Sequence, residues 1–529
     1  MNPAQQYQDL TLTPEQQDAF LARIVAQVSP GDYQIIEALI RGVPQLLELI
    51  AQDPMTMRKL RLMIFGPKTE KTSRVCPSAK PQVLEKPKGK RKGHGRNKAK
   101  NYTGARWVKV PHPDLKAGDP CPECLKGKVR EQKTPAIVLR ITGSPPISAT
   151  GYEMERFRCD ACGMVFTAPV PEEAGTEKYD PSVGVTVGLM RYASGVPHYR
   201  LANLQKSLGV PMPASTQWEV MKPLYTQAEP IWKAIIRCAA NAYLIHQDDT
   251  NMRILDLRRP GTDATDPIDP KRKGTFTTNL LAYIGNHQIA LYFTGWRHAG
   301  ENLAQLLEHR AAGLEPPIQM CDALSRNMSL EFETILAHCL SHGRREFVSA
   351  AQNFPEECRY VLESLGKVYH EDARAKEDKL SPDQRLVHHQ THSRPVMETL
   401  KAWMRDQIDG KRVEPNSGLG QAITYMLKHW EPLTLFLRKA GAPLDNNICE
   451  QGLKRAILHR KNSLSYKTLN GARTGDLFMS LIHTCRLNGV NPFDYLMAIA
   501  RNGDAIAAAP ENWLPWNYPK TATPAADAR

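Results

Sequence analysis

Two apolar runs in this chain each stop at a carboxylate: Tyr243-Leu-Ile-His-Gln-Asp248, continued by Asp249-Thr250, and Pro317-Ile-Gln-Met-Cys-Asp322. Runs of this length suit strands, and strands that end in an acid beside one sheet bring together oxygen ligands for a hard cation. A third acid, Glu450, stands near the start of an apparent helix entered through Asp445, Asn446 and Asn447, residue types that favour turns and helix caps. Lys454 follows one helical turn on, then Arg455, His459, Arg460 and Lys461, so part of this helix must face an anion or water. One acid beside many bases suits phosphate chemistry. Taken singly, each acid also reads as a turn or capping carboxylate, and the helix as a solvated one with an ordinary ion pair.

Asp248 and Asp249 compete for the first position. Neighbours on a strand point to opposite faces, so at most one of them faces the other two acids, and parity alone does not choose.

At 529 residues the chain exceeds one core and divides into about three or four domains. Its formal charge of +14 and pI near 9.2 point to a polyanionic partner, without distinguishing DNA from RNA or an anionic membrane. No uninterrupted apolar run is long enough to span a membrane, and MNPAQQYQDLTLTPEQQ lacks a basic leader and an apolar signal core, so a cytoplasmic protein with no membrane partner is expected. Eleven cysteines in so long a chain are no disulfide framework.

The expected organisation is a helical N-terminal region (1–75), a basic flexible linker (76–105), a zinc-ribbon-like domain (106–170) and a helix-turn-helix-like segment (171–228). An α/β core follows in parts (229–340 and 441–484), interrupted by a helical insertion (341–440) and succeeded by a C-terminal helical segment and tail (485–529). The fold class is thus α/β and multidomain. Thr13-Pro14-Glu15-Gln16 reads as a helix start. Ile36, Leu39, Val43, Leu46 and Ile50 keep a coiled-coil spacing that Gly42, Pro44 and Pro54 argue against, which leaves short packed helices. Between Lys80 and Lys100, Lys90, Arg91, Lys92 and Arg96 belong to a run with one acid, Glu85, and no apolar face, either a soluble linker or a tether to the DNA backbone.

Cys121-Pro-Glu-Cys124 and Cys159-Asp-Ala-Cys162 flank a segment with strand-like alternation at Ala136–Ile141 and Glu153–Arg158. Two such pairs supply four thiolates for a structural Zn²⁺, with a redox dithiol or unpaired core cysteines as the alternatives. Leu201, Leu204 and Leu208, the Gly209-Val210 turn and a second helix capped near Ser215 or Thr216 fit a helix-turn-helix, or a helical hairpin that only packs. Strands are expected over Ala242–Asp248, Thr275–Ile284 and Gln288–Thr294, then a helix over Gly300–Arg310 and a short strand ending at Cys321, with helices from about residue 329 to 440. Cys339 and His342, three apart, make half a metal site at most. Arg344 and Arg345 beside them, like Lys454, Arg460 and Lys461, are candidates for phosphate contact.

HQDDT (246–250), CDALSRN (321–327), HCLSHGRREF (338–347), EPNSGLGQAITYMLKHW (414–430), PLDNNICEQGLK (443–454) and LHRKNSLSY (458–466), with FGPKTEK (65–71) and NPFDYL (491–496), resemble the DDE transposases of the insertion sequence 66 family. The resemblance spans nearly the whole chain. It implies an RNase H-like core in which Asp248, Asp322 and Glu450 are the first, second and third acids. Those carboxylates would hold two Mg²⁺ (or Mn²⁺) ions about 3.5 to 4 Å apart for phosphoryl transfer. It implies double-stranded DNA, as element ends and target, for a partner, a homo-oligomer on paired ends and small accessory proteins of the same element. Other classes compatible with the residues are a DNA-binding regulator without catalysis and an RNase H-like nuclease without strand transfer. Where family members continue the glutamate motif with an Arg-Ala-Leu-like step, this chain has Gln451 and Gly452, and glycine costs about 1 kcal/mol inside a helix.

Overall fold

The computed structural model describes residues 14–25, 27–29, 31–34, 36, 37, 40, 72–75, 108–124, 126–132, 136, 137, 140, 141, 143–160, 162, 164–258, 272, 274–328 and 331–518. The basic run with Lys90, Arg91, Lys92 and Arg96, and Leu39, Val43, Leu46 and Ile50 of the apolar repeat, lie outside them. Two compact units are formed. One draws on Gly343–His370, Val396–Leu427 and the chain up to Pro81, the other on Gln82–His342, Glu371–Pro395 and Lys428–Arg529. The stretch expected as an insertion, 341–440, is therefore shared between them.

Helix α1 (Pro14–Ile24) starts at the proline expected in its first turn. In the cysteine-bearing region β1 (Arg156–Arg158) pairs antiparallel with β2 (Val165–Thr167), Phe157 opposite Phe166 and both exposed. The alternation at Ala136–Ile141 forms no strand at its described residues Ala136, Ile137, Arg140 and Ile141. Both of those isoleucines are exposed, and an alternating pattern without a partner strand has no ladder to join. Next come α2 (Pro181–Gly188), capped by Asp180, a π-helical turn over Leu189–Ala193, and α3 (His198–Ser207). Helix α4 (Ala214–Ala240) begins before Ser215 and Thr216, so neither residue caps it. It runs for 27 residues through Pro223 and Pro230 and buries Met221, Leu224, Ile231 and Ile235, which makes it a core helix.

The sheet comprises β3 (Leu244–Asn251), β4 (Phe276–Ile284), β5 (His287–Gly295), β6 (Ile318–Cys321) and β7 (Ile335–His338), in the order β5-β4-β3-β6-β7. The first three form an antiparallel meander whose tight turn places Gly285 at φ 52°, a conformation that suits glycine. Strands β6 and β7 continue the sheet parallel to β3. Between β5 and β6 runs α5 (Ala299–Leu307). Strand β7 corrects the sequence reading, which placed Ile335–His338 in the helical stretch: four residues are too few to show a period, and burial beside β6 decides. After β7 come α6 (Leu340–Ala350), α7 (Pro355–Glu377), α8 (Pro382–His392), α9 (Arg394–Asp409) and α10 (Gly418–Lys428). Buried Asp372 of α7 gathers Lys376, Arg385 and His389, tying α8 to the last turns of α7. Then follow α11 (Asn447–Ser463), α12 (Leu469–Leu487) and α13 (Pro492–Arg501), the last capped by Asn491.

One face of the sheet carries α4 and α5, through Trp232 against Phe293 and Asn302 bonded to Thr278. The other face carries α11. Helix α12 closes the β5 edge with side chains. Asn488, Thr484, Ser480 and Asp476, four residues apart, accept the N–H groups of Gln288, Ala290, Tyr292 and Thr294, two apart, at 3.3, 3.1, 2.9 and 2.7 Å. Asn488 and Thr484 also donate to the carbonyls of Gln288 and Ala290. Four helical residues rise about 6.0 Å and two strand residues about 6.7 Å, so the ladders stay nearly in step. The longer Asp and Asn at the two ends absorb the mismatch. Among the described residues no helix is long and apolar enough to cross a membrane.

Replacing Thr484 with valine keeps shape but strips the partners from buried Ala290. Stability should fall by about 1–3 kcal/mol in urea unfolding, and an unchanged midpoint would show that the edge does not need this cover.

Candidate active site

The parallel register pairs Leu244 with Ile318 and His246 with Met320. Continued by two residues, this register brings Asp248 level with Asp322, the first residue after β6, and the charge of Asp322 acts on Asp248. Across the antiparallel strands the same row continues from Asp248 to Asn279 and on to Tyr292. Helix α11 lies over this row. Asn279 Nδ2 donates to the Cys449 carbonyl at 3.1 Å, and the Tyr292 hydroxyl donates to the Gly452 carbonyl at 2.8 Å. The row thus carries two acids at one end and seats the helix bearing Glu450 at the other.

Gly452 makes the seating possible. A Cβ there would overlap Asn279 Nδ2 and stand 2.9 Å from His483 Cε1. The residue that looks in sequence like a weakness in the helix is the point of closest approach to the sheet. At the helix start, Asn446 Nδ2 donates to the Gln247 carbonyl at 2.8 Å, its Oδ1 lies 3.0 Å from His246 Nδ1, and its backbone N–H reaches Cys339 Sγ at 3.2 Å. Burial lowers His246 to about 4, so this contact is made by a neutral ring. Asp445 accepts the Asn447 N–H at 3.2 Å in place of a side-chain cap from Asn446.

Asp322 leads a loop pinned under the sheet. Asn327 Nδ2 donates to its Oδ1, and Gln247 and Gln319 both donate to the Asn327 carbonyl. Asp248 accepts the Asp249 N–H at 2.8 Å. Its carboxyl is nonetheless pushed up to about 7, first by burial, then by the charge of Asp322, with Asp249 and Glu450 adding to it. No cation is among the groups that set it. Uncompensated negative charge of this kind, on oxygen donors, suits a divalent cation.

Asp249 lies on the opposite face. Its Oδ2 stands 2.9 Å from His298 Nδ1, and Arg326 is 3.4 Å from its Oδ1, so it anchors the start of α5 and its charge is already spent.

Of the basic candidates, Lys454 and Lys461 are exposed. Arg460 bonds Thr250 at 2.9 Å and the Asn251 carbonyl, pinning α11 to the end of β3. Arg344 and Arg345 are half-buried on α6. His459 faces neither anion nor water: it is buried, stacked on Tyr466 at 4.4 Å, and lowered to about 3 by burial. Cys121 and Cys124 sit in a tight turn in which the Lys126 and Gly127 N–H groups, with Cys121, lower the Cys124 thiol. Cys159 begins a similar turn, its N–H bonded to the Met164 carbonyl. Each pair has the form of half a zinc site. Among the described residues no three of these four thiols come within 4.8 Å of one another. The two three-residue strands that flank Cys159 and Cys162 are exposed and bury little. A different group does converge: Cys339, His342 and Glu450. Sequence spacing disclosed Cys339 and His342, but nothing disclosed Glu450 as their neighbour, nor Asn279 as the link to α11.

Fold and site together define an α/β protein in which Asp248 and Asp322 lie at the ends of neighbouring strands of a mixed sheet and the charge of Glu450 reaches Asp248, while among the described residues the three carboxylates do not all come within 4.8 Å of one another. The chain belongs to the IS66 family of transposases, whose sequence profile matches residues 178–474. It is similar to three uncharacterized proteins of Sinorhizobium fredii (strain NBRC 101917 / NGR234). The protein y4jD is 25% identical, covering 91% of this chain and 97% of its own length. The protein y4hP is 24% identical, covering 69% and 67%, and y4qI is 24% identical, covering 63% and 61%.

Gly452→Ala should lower stability by about 1–3 kcal/mol although alanine is the better helix former, because the helix must lift off Asn279. Unchanged urea unfolding would remove Gly452 from its role. A pH effect follows from Asp248. Its folded pKa lies above the unfolded value, so its stabilising contribution is complete at low pH and is lost as pH rises through about 7. Asp476, buried and also raised to about 7, adds to the trend. Metal-free protein should therefore lose thermal stability from pH 6 to 8, Asp248→Asn should lose less, and Mg²⁺ should stabilise more at pH 8 than at pH 6. Equal slopes for wild type and Asp248→Asn would contradict the assignment.

Proposed function

We propose that this chain is a DDE transposase that cleaves DNA at the ends of a mobile element and joins the freed 3′-hydroxyls to target DNA, using Asp248, Asp322 and Glu450. The observation that carries this reading is the strand register that brings Asp248 level with Asp322, with both that acid and Glu450 close enough for their charges to push the Asp248 carboxyl up. Two Mg²⁺ or Mn²⁺ ions held by the three carboxylates would neutralise charge at phosphorus and polarise the attacking oxygen. The chain's own part is positioning: Asp248 lies on β3 and Asp322 just after the adjacent parallel strand β6, and Asn446, Gly452 and Arg460 fix the helix that presents Glu450. An antiparallel meander followed by two parallel strands supports an RNase H-like identity for this core.

In the same reading Lys454, Lys461, Arg344 and Arg345 contact phosphates without sequence preference, and the run with Lys90, Arg91, Lys92 and Arg96 tethers the DNA backbone. The α3–α4 turn acts as a helix-turn-helix. The two cysteine turns join around Zn²⁺ as a ribbon module on DNA, and the protein works as a homo-oligomer on paired ends, with accessory proteins from its own element.

Asp248→Asn, Asp322→Asn and Glu450→Gln should each reduce metal-dependent nicking and joining of end-containing DNA by at least roughly 100-fold while end binding persists. Wild-type rates in Glu450→Gln would refute the mechanism. Specific binding by the wild type without any metal-dependent nicking would point to a regulator instead.

A further inference from the structure

We propose that Cys339, His342 and Glu450 form a second metal site that takes a borderline-soft divalent cation such as Zn²⁺ and thereby withdraws Glu450 from the acid triad. The three side chains offer donor atoms that all lie within 4.8 Å of one another, with His342 Nδ1 3.9 Å from Glu450 Oε1. They come from the end of β7, the first turn of α6 and the first turn of α11, all within one compact unit. Around tetrahedral zinc, with bonds of 2.0–2.3 Å, donors stand roughly 3.3–3.8 Å apart, so side-chain rotation of about an ångström completes the set.

A second observation points the same way. Cys339 is fully buried, yet its sulfur receives the Asn446 N–H at 3.2 Å, a contact that favours negative charge on sulfur as a metal-bound thiolate requires. Burial, then the charges of Asp445 and Glu450, raise the thiol, and binding of a cation releases its proton to solvent. Nothing is oxidised or reduced. Sulfur, nitrogen and oxygen in one set select zinc over magnesium, which prefers an all-oxygen octahedron. The fourth position is left to water. Because Glu450 is shared, occupation of this site opposes the arrangement in which Glu450 joins Asp248 and Asp322. That inhibitory consequence rests on the proposed function, whereas the binding itself does not.

The test uses the full-length chain with Co²⁺ as the spectroscopic stand-in for Zn²⁺. Wild type, Cys339→Ser and His342→Ala all retain Cys121, Cys124, Cys159 and Cys162, so binding at those turns is common to them. Wild type should take up one more equivalent of Co²⁺, with thiolate-to-cobalt absorption, than Cys339→Ser, and His342→Ala should weaken that equivalent by at least about tenfold. Glu450→Gln, which leaves the thiol intact, should weaken it as well and guards against a misfolded Cys339→Ser protein. Equal stoichiometry and absorption in all four proteins would overturn the site. In Mg²⁺-dependent cleavage, Zn²⁺ should inhibit the wild type at a concentration at least about tenfold below that needed for Cys339→Ser. Equal zinc sensitivity would overturn the inhibitory role. A wild type that never cleaves DNA would defeat the proposed function while the cobalt titration still decides the site.

Discussion

Helix α11 reaches the sheet because position 452 has no side chain, and the rest of the site hangs on that contact. With Gly452 against Asn279 and His483, the Cys449 carbonyl meets Asn279 and the Gly452 carbonyl meets Tyr292. Glu450 lies between those two carbonyls in sequence. Its position is therefore set by hydrogen bonds from the Asn279 and Tyr292 side chains to the carbonyls of the helix on either side of it. A helix lifted by the width of a methyl group would leave Asn279 buried without its partner and weaken the push of Glu450 on Asp248. The placement of Glu450 and the packing of the core are the same contact here.

The candidate acids were legible because an acid at the end of an apolar run is conspicuous, and because the run beyond Glu450 is strongly basic. The choice between Asp248 and Asp249 was not, since alternation fixes only that they differ. Tertiary structure decides it by giving Asp249 to His298 and the start of α5. The mixed α/β class and three of the five sheet strands were readable within a few residues of their ends, and the parallel strand ending at Cys321 was also marked. Strand β7 was lost because four residues show no period. Ala136–Ile141 shows the converse error, alternation without a partner. Gly452 looked like a helix cost because propensity knows nothing of Asn279, and His459 looked solvated because its burial comes from Tyr192, distant in sequence, and from Tyr466, which folds back from beyond the helix end.

Glu450 is common to both proposed cation sites: its charge acts on Asp248 on one side, and the sulfur of Cys339 and a ring nitrogen of His342 lie near it on the other. Asn446 touches both sides, holding Gln247 on β3 with its side chain and Cys339 with its backbone. A shift of this one residue would be felt by the strand that bears the first acid and by the buried thiol together.

The side-chain ladder from α12 to β5 joins residues 182 to 200 positions apart. During synthesis on the ribosome, at about 5–20 residues per second, the meander is complete roughly 10 to 40 seconds before the helix that covers its margin. For that interval the nascent chain presents an unsaturated strand to whatever lies nearby, another growing copy included. A chain cut short before α12 would leave that strand with an open, adhesive border.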